Sequence, residues 1–184
     1  YEIPLRLVGS EMCIRDRLNN IMKRISLLIV FIYMCSMFTF AQKINRNILC
    51  CTLGETTEAQ LSNCIKENNY TLESEYVSNG LKYYRIANIT FANKDYSEGL
   101  FCFYKGKLLF INFFVENNLY FNGLKDALTK KYKPYLQKET NEGSVSFDDG
   151  TTMIWLDDLS GSTTLKYVDK KISEQIKSDT SNEL

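Results

Sequence analysis

The chain is 184 residues long, carries 22 lysines and arginines against 22 aspartates and glutamates, and contains no histidine. A balanced charge without a dense basic cluster excludes the concentrated cations that phosphate backbones require, so nucleic acid is not an expected partner. The missing histidine removes the usual general base near neutral pH, the Ser-His-Asp and Cys-His arrangements, and the commonest nitrogen ligand of zinc.

Residues 1–21 mix Arg, Asp and Glu among apolar side chains with neither strand nor helix periodicity, so they offer no face to bury. Within them, Leu7-Val8-Gly9-Ser10-Glu11-Met12-Cys13-Ile14-Arg15-Asp16-Arg17 resembles translated sequencing-adapter read-through. The stretch is read as an artefactual extension, with Met22 as the start. Met22 to Gln42 then has the build of a secretory signal peptide. Lys23 and Arg24 form a basic head, Ile25 to Phe40 an apolar core, and Thr39 and Ala41 the small-x-small pattern of a cleavage site after Ala41. The core is shorter than the about 20 residues of a membrane-spanning helix. Cys35 follows Met34 and Cys50 follows Leu49, so neither has the small preceding residue that lipid attachment needs. The expectation is an exported protein, periplasmic or extracellular in a bacterial envelope, with membrane contact only through the uncleaved signal segment.

The remainder, 42–177, fits one domain. Ile48 to Leu53 is a short apolar run broken by Gly54. Thr57 and Gln60 have capping-box spacing, and Leu61, Cys64 and Ile65 make one apolar stripe, predicting a helix over 58–67 that Asn68-Asn69 ends. Strand periodicity follows. Thr71 to Val77 and Leu81 to Phe91 flank the turn Ser78-Asn79-Gly80, with Leu81, Tyr83, Arg85, Ala87, Ile89 and Phe91 expected on one side. Gly99 to Tyr104 and Leu108 to Val115 form a hairpin across Lys105-Gly106-Lys107. Both faces of that hairpin are apolar: Phe101, Phe103, Leu109, Ile111, Phe113 and Val115 alternate with Leu100, Cys102, Tyr104, Leu108, Phe110 and Phe114. It is therefore either covered on both sides or presents one side to a partner.

Leu124, Leu128 and Tyr132 define a second helix, with Asn122 as the expected cap and Pro134 as the stop. A polar loop, 137–143, leads to strands at Val145 to Phe147 and Thr152 to Leu156, joined by Asp148-Asp149-Gly150-Thr151. After the loop 157–162, Thr163 to Val168 is the last strand. Asp169 caps a short terminal helix carrying Ile172 and Ile176, and 178–184 is expected to be a disordered tail. The pattern predicts an α+β fold in which two helix-then-antiparallel-strands units, 54–115 and 121–169, form one sheet packed on helices.

The phrase Leu53-Gly54-Glu55-Thr56-Thr57-Glu58, leading into an amphipathic helix and a meander, resembles the repeat unit of the β-lactamase-inhibitor-like and outer-membrane-assembly lipoprotein folds. The resemblance implies an exported, non-enzymatic, protein-binding module. The absent lipid-attachment cysteine departs from the lipoprotein branch.

Four cysteines remain after cleavage: Cys50, Cys51, Cys64 and Cys102. An even number in an exported chain points to a disulfide. Bridging the adjacent Cys50 and Cys51 would strain the peptide between them, which leaves Cys64 or Cys102 as partner of one of the two. A soft-metal or redox site on these thiols is the rival reading, although the spacings do not form two CxxC pairs. Asp148, Asp149, Asp157 and Asp158 resemble a carboxylate cluster. Asp149 and Asp157, however, stand roughly 26 Å apart along an extended strand, so turn chemistry is the expected role of each pair. No metal or other cofactor is expected.

The leading functional expectation is a non-enzymatic binding or inhibitor-like module that contacts a protein or envelope component, with homo-oligomerisation open. Tyr83, Tyr84, Arg85, Phe101, Phe103 and Trp155 are the candidate partner-binding residues, because aromatic rings and stem-rich cations anchor interfaces. A hydrolase acting on cell-wall material would instead need folding to pair carboxyls such as Glu73, Glu75 or Asp95.

Overall fold

The computed structural model describes residues 42–115, 120–139, 143–159 and 161–182. The expected extension at 1–21 and signal segment at 22–41 lie outside them.

After a short ribbon of β1 (Asn47–Ile48) and β2 (Cys51–Thr52) comes helix α1 (Glu58–Glu67). Its capping box is made as its sequence prescribes. Thr57 Oγ1 accepts from the Gln60 backbone N–H, while Gln60 Oε1 accepts from the Thr57 N–H at 2.8 Å. Asn69, at φ 56°, takes the left-handed conformation that ends the helix. Strands β3 (Thr71–Ser78), β4 (Leu81–Phe91), β5 (Lys94–Tyr104) and β6 (Lys107–Val115) then run as a meander.

The second unit repeats the order. Helix α2 (Phe121–Tyr132) passes through a 3-10 turn at Lys133–Tyr135 into β7 (Leu136–Glu139), β8 (Ser144–Asp148), β9 (Thr152–Leu159) and β10 (Ser162–Asp169). Helix α3 (Lys170–Asn182) closes the described chain. The two units share one eight-stranded antiparallel sheet in the order β3-β4-β5-β6-β10-β9-β8-β7. They meet where β6 pairs with β10, Ile111 opposite Tyr167 and Phe113 opposite Leu165. The last strand of each unit is thus central and the first is at an edge. This is the α+β arrangement read from the sequence.

One face of the sheet is covered by α1, α2 and the segment 44–53. Ile86, Phe101, Phe103, Ile111, Phe113, Phe147, Ile154, Leu156 and Leu165 are buried there with Leu61 of α1 and Leu124 and Leu128 of α2. The segment 52–56 is stitched onto β6 by Gly54 N–H to the Leu108 carbonyl at 2.8 Å and Leu108 N–H to the Thr56 carbonyl at 3.1 Å. Arg46 pairs with the buried Asp169 beside it. Gly54 (φ 78°) is required at this spot, since a Cβ would overlap Asp169 Oδ2 and lie 2.6 Å from Arg46 Nη2.

Several expectations need correcting. The side of β4 that faces the core is Tyr84 and Ile86, joined by Ile89 and Phe91, not an unbroken stripe from Leu81 to Phe91. Left-handed Asn88 (φ 59°) lies where the alternation changes. A tight turn at Ala92-Asn93, both left-handed, starts β5 five residues before Gly99. Asn122 does not cap α2, whose preceding residue Tyr120 makes no side-chain capping bond. The polar segment 137–143 contains most of β7, and Asp157 and Asp158 belong to β9, not to a loop. The terminal helix runs through the expected tail as far as Asn182, anchored by Asp179, which accepts from the Tyr104 hydroxyl and pairs with Lys105 at 2.8 Å.

Candidate functional site

Alternation on β6, β8, β9 and β10 leaves every second side chain half-buried on the face opposite α1 and α2. Only one end of that second face has a helical cover among the described residues. Ile172 and Ile176 of α3 pack with Cys102, Leu109, Phe110, Met153 and Val168. Asp169 fixes the start of α3 by accepting from the Ile172 N–H at 2.7 Å.

Beyond α3 the register places a single row across six strands: Arg85, Leu100, Asn112, Lys166, Trp155 and Ser146. The next row is Glu98, Phe114, Thr164, Asp157 and Ser144. Cations, acids and large apolar groups are therefore interleaved. Arg85 pairs with Glu98 at 3.0 Å. The Lys166 ammonium lies 4.1 Å from the Phe110 ring centroid and 5.9 Å from that of Trp155. Desolvation holds it below the ordinary lysine range, and the charges of Cys102 and Asp157 oppose that shift. No ion pair to Lys166 forms among the described residues. Its register partner Asn112 has a buried Oδ1 that accepts nothing. A half-desolvated cation without an ion pair is a costly arrangement in isolation, and a ligand group that accepts from it would offset that cost.

The structure divides the expected partner-binding residues. Arg85 stands in the open row, and Trp155, in the same row, packs against the cluster beneath α3. Tyr83 lies at the margin of the part covered by α3, stacked on Tyr76 at 4.9 Å. Tyr84, Phe101 and Phe103 do not belong to this surface: they are at most 5% exposed, in the core on the opposite face. The physical reason is the two-residue period, which sends Phe101 and Phe103 toward the helices and Leu100 to the other side. Tyr84 is held there by its hydroxyl, which donates to Glu58 Oε2 of α1 at 2.7 Å. Lys166, Asn112 and Phe114 were missed as site residues. Their signal was the polar-apolar alternation of Thr163 to Val168 read together with the second apolar set of the β5–β6 hairpin.

The cysteines separate into a group and a single. Cys50 and Cys64 form a disulfide with a Cα–Cα distance of 5.8 Å, and Cys51 and Cys102 are buried free thiols. Burial pushes Cys51 up to about 11. It pushes Cys102 up to about 12, against the Tyr83 hydrogen bond and the charge of Lys166. The sulfurs of Cys50, Cys51 and Cys64 lie within 4.8 Å of one another, whereas Cys102 belongs to the second face. A four-thiolate site is thereby ruled out.

The carboxylates of the turn do turn chemistry. Asp148 accepts from the Gly150 N–H and pairs with Lys170, and Asp149 accepts from Thr151, Thr152 and, at 2.8 Å, the Ile44 N–H. Glu75 pairs with Lys82, and Asp95 accepts from the Thr90 hydroxyl. Glu73 instead lines a shallow cleft with Glu98, Ser97, Phe114 and Ser162, where Glu98 is the partner of Arg85.

No known protein family, curated protein or solved structure matches the chain.

Proposed function

We propose that this protein is a small exported, non-enzymatic binding module that docks a polypeptide or other envelope component on the open part of its second sheet face. The observation that carries the reading is the row Arg85–Leu100–Asn112–Lys166–Trp155, where the half-desolvated Lys166 lies over aromatic rings with no ion pair among the described residues. A mixed surface of this type matches the composition of protein-binding patches, in which aromatic rings and cations supply the anchors and polar neighbours set the register. A rigid sheet also presents these groups at little cost in conformational entropy. The signal-peptide pattern and the resemblance to inhibitor-like repeats agree with an exported binder.

The test compares species retained from envelope extract by the wild-type chain, by Lys166→Glu and Phe114→Glu on the open face, and by Lys133→Glu outside it. Trp155, the single tryptophan, reports binding through its emission. The reading expects a retained component that shifts Trp155 emission and loses at least tenfold in affinity with either face variant, while Lys133→Glu retains it. Equal retention by all variants would defeat it.

A further inference from the structure

The free thiol of Cys51 has no role in the docking face, yet it lies in a cluster of three sulfurs. Cys50 sits in the turn between β1 and β2 and is exposed, Cys51 opens β2 and is fully buried, and Cys64 is buried on the apolar stripe of α1. All three sulfurs lie within 4.8 Å of one another, so the free thiol is no farther than that from either sulfur of the bridge.

We propose that Cys51 makes this bridge an exchangeable site, in which Cys50 becomes a surface thiol open to covalent modification. The Cys51 thiolate, after losing its proton to solvent, attacks Cys64 Sγ. The Cys51–Cys64 bond forms as the Cys50–Cys64 bond breaks, and Cys50 leaves as a thiolate that takes up a proton. One disulfide and one thiol are present before and after, so no oxidant or reductant is consumed. Attack on the other sulfur would bridge Cys50 and Cys51 and strain the peptide between them, which directs the reaction to Cys64. The product differs from the starting state in one chemically important respect: the free thiol has moved from a buried position to an exposed one, where a disulfide of a small thiol or of a second protein can capture it.

Burial of Cys51 slows the step and sets its pH dependence. Its thiol ionises near 11, and the half-buried Tyr70 is the titratable neighbour in electrostatic contact with it. The attacking thiolate is scarce at neutral pH but strongly nucleophilic once formed, so the rate should climb about tenfold per pH unit between about pH 7 and pH 9.

The test uses the full oxidised chain, incubated with excess N-ethylmaleimide under native conditions and digested without reduction. Cleavage after Glu55 or Glu58 separates Cys50 and Cys51 from Cys64, so the bridge and the alkylated residue can be read by fragmentation. The expected result is accumulation of alkylated Cys50 together with a Cys51–Cys64 bridge, at a rate that climbs with pH. Cys51→Ser should abolish this product and Cys102→Ser should leave it. A second variant keeps the outcome decisive if Cys51→Ser fails to fold: Cys50→Ser, oxidised with glutathione disulfide, should form the Cys51–Cys64 bridge directly. Alkylation confined to Cys51 and Cys102, or two free thiols persisting in Cys50→Ser, would overturn the proposal.

Discussion

The two faces of the sheet use the same strands and end differently. On the face beneath α1 and α2, the row Phe101, Ile111, Tyr167, Ile154 and Phe147 is buried throughout and continuous with the core. On the opposite face the neighbouring row Leu100, Asn112, Lys166, Trp155 and Ser146 is half-buried and chemically mixed. The difference teaches that hydrophobic content alone does not assign a role to a strand. The β5–β6 hairpin is apolar on both sides, and only the helices decide which side is core.

The largest effect that should separate the faces is Phe101→Ala. Phe101 is 1% exposed, and truncating it should cost about 3–5 kcal/mol in urea unfolding. Loss of less than about 1.5 kcal/mol would mean that the covered face is not the core. Gly54→Ala should follow at about 2–4 kcal/mol, because it combines a left-handed backbone with displacement of the Arg46–Asp169 pair. In a cycle with Asp169→Ala the two losses should be strongly sub-additive, since both act on that pair. Additive losses would show that Gly54 acts through its backbone alone.

Asp149 joins the core-side segment at Ile44 to the β8–β9 turn. Burial raises its carboxyl, but the hydrogen bonds from Thr151, Thr152 and Ile44 prevail and hold it below the ordinary 3.8. A carboxyl depressed on folding contributes stability above its unfolded pKa and loses it as pH falls through the folded value. Asp149→Asn should therefore be less stable than the parent near pH 7, with the gap narrowing below about pH 4. Unfolding midpoints at pH 3 to 7 check this, and a gap that stays constant with pH would exclude an ionic contribution. The smallest effect belongs to the open face: Phe114→Ala should cost under about 1 kcal/mol. A loss as large as that of Phe101→Ala would show that the second face is core as well.

Much of the architecture was legible in local residues. The Thr57–Gln60 box, the Asp148-Asp149-Gly150 turn and the Lys105-Gly106 turn each act over a few residues, where sequence and geometry are nearly the same thing. Asp169 was read as a cap, and it is one. The site was less legible. The period of a strand shows that two faces exist and not which is covered, so the six expected residues divide: Arg85, Trp155 and Tyr83 lie on the second face, and Phe101, Phe103 and Tyr84 on the covered one. Left-handed Asn88 marks a further change of side that alternation cannot reveal. The length of α3 is not legible locally because a bond that settles it, from the Tyr104 hydroxyl to Asp179, joins residues far apart in the chain.

By itself, then, the sequence determined the order of the helices and of most strands and the α+β class, since propensity, turn chemistry and periodicity act within a few residues along the chain. The tertiary structure alone decided which hairpin face is core, that Lys166 and Asn112 lie side by side, and that Cys50, Cys51 and Cys64 converge while Cys102 stands apart. Each of these depends on contacts between segments far apart in the chain, and the packing of α1 and α2 on one face, with α3 on only one end of the other, is what chooses among patterns that look locally equivalent.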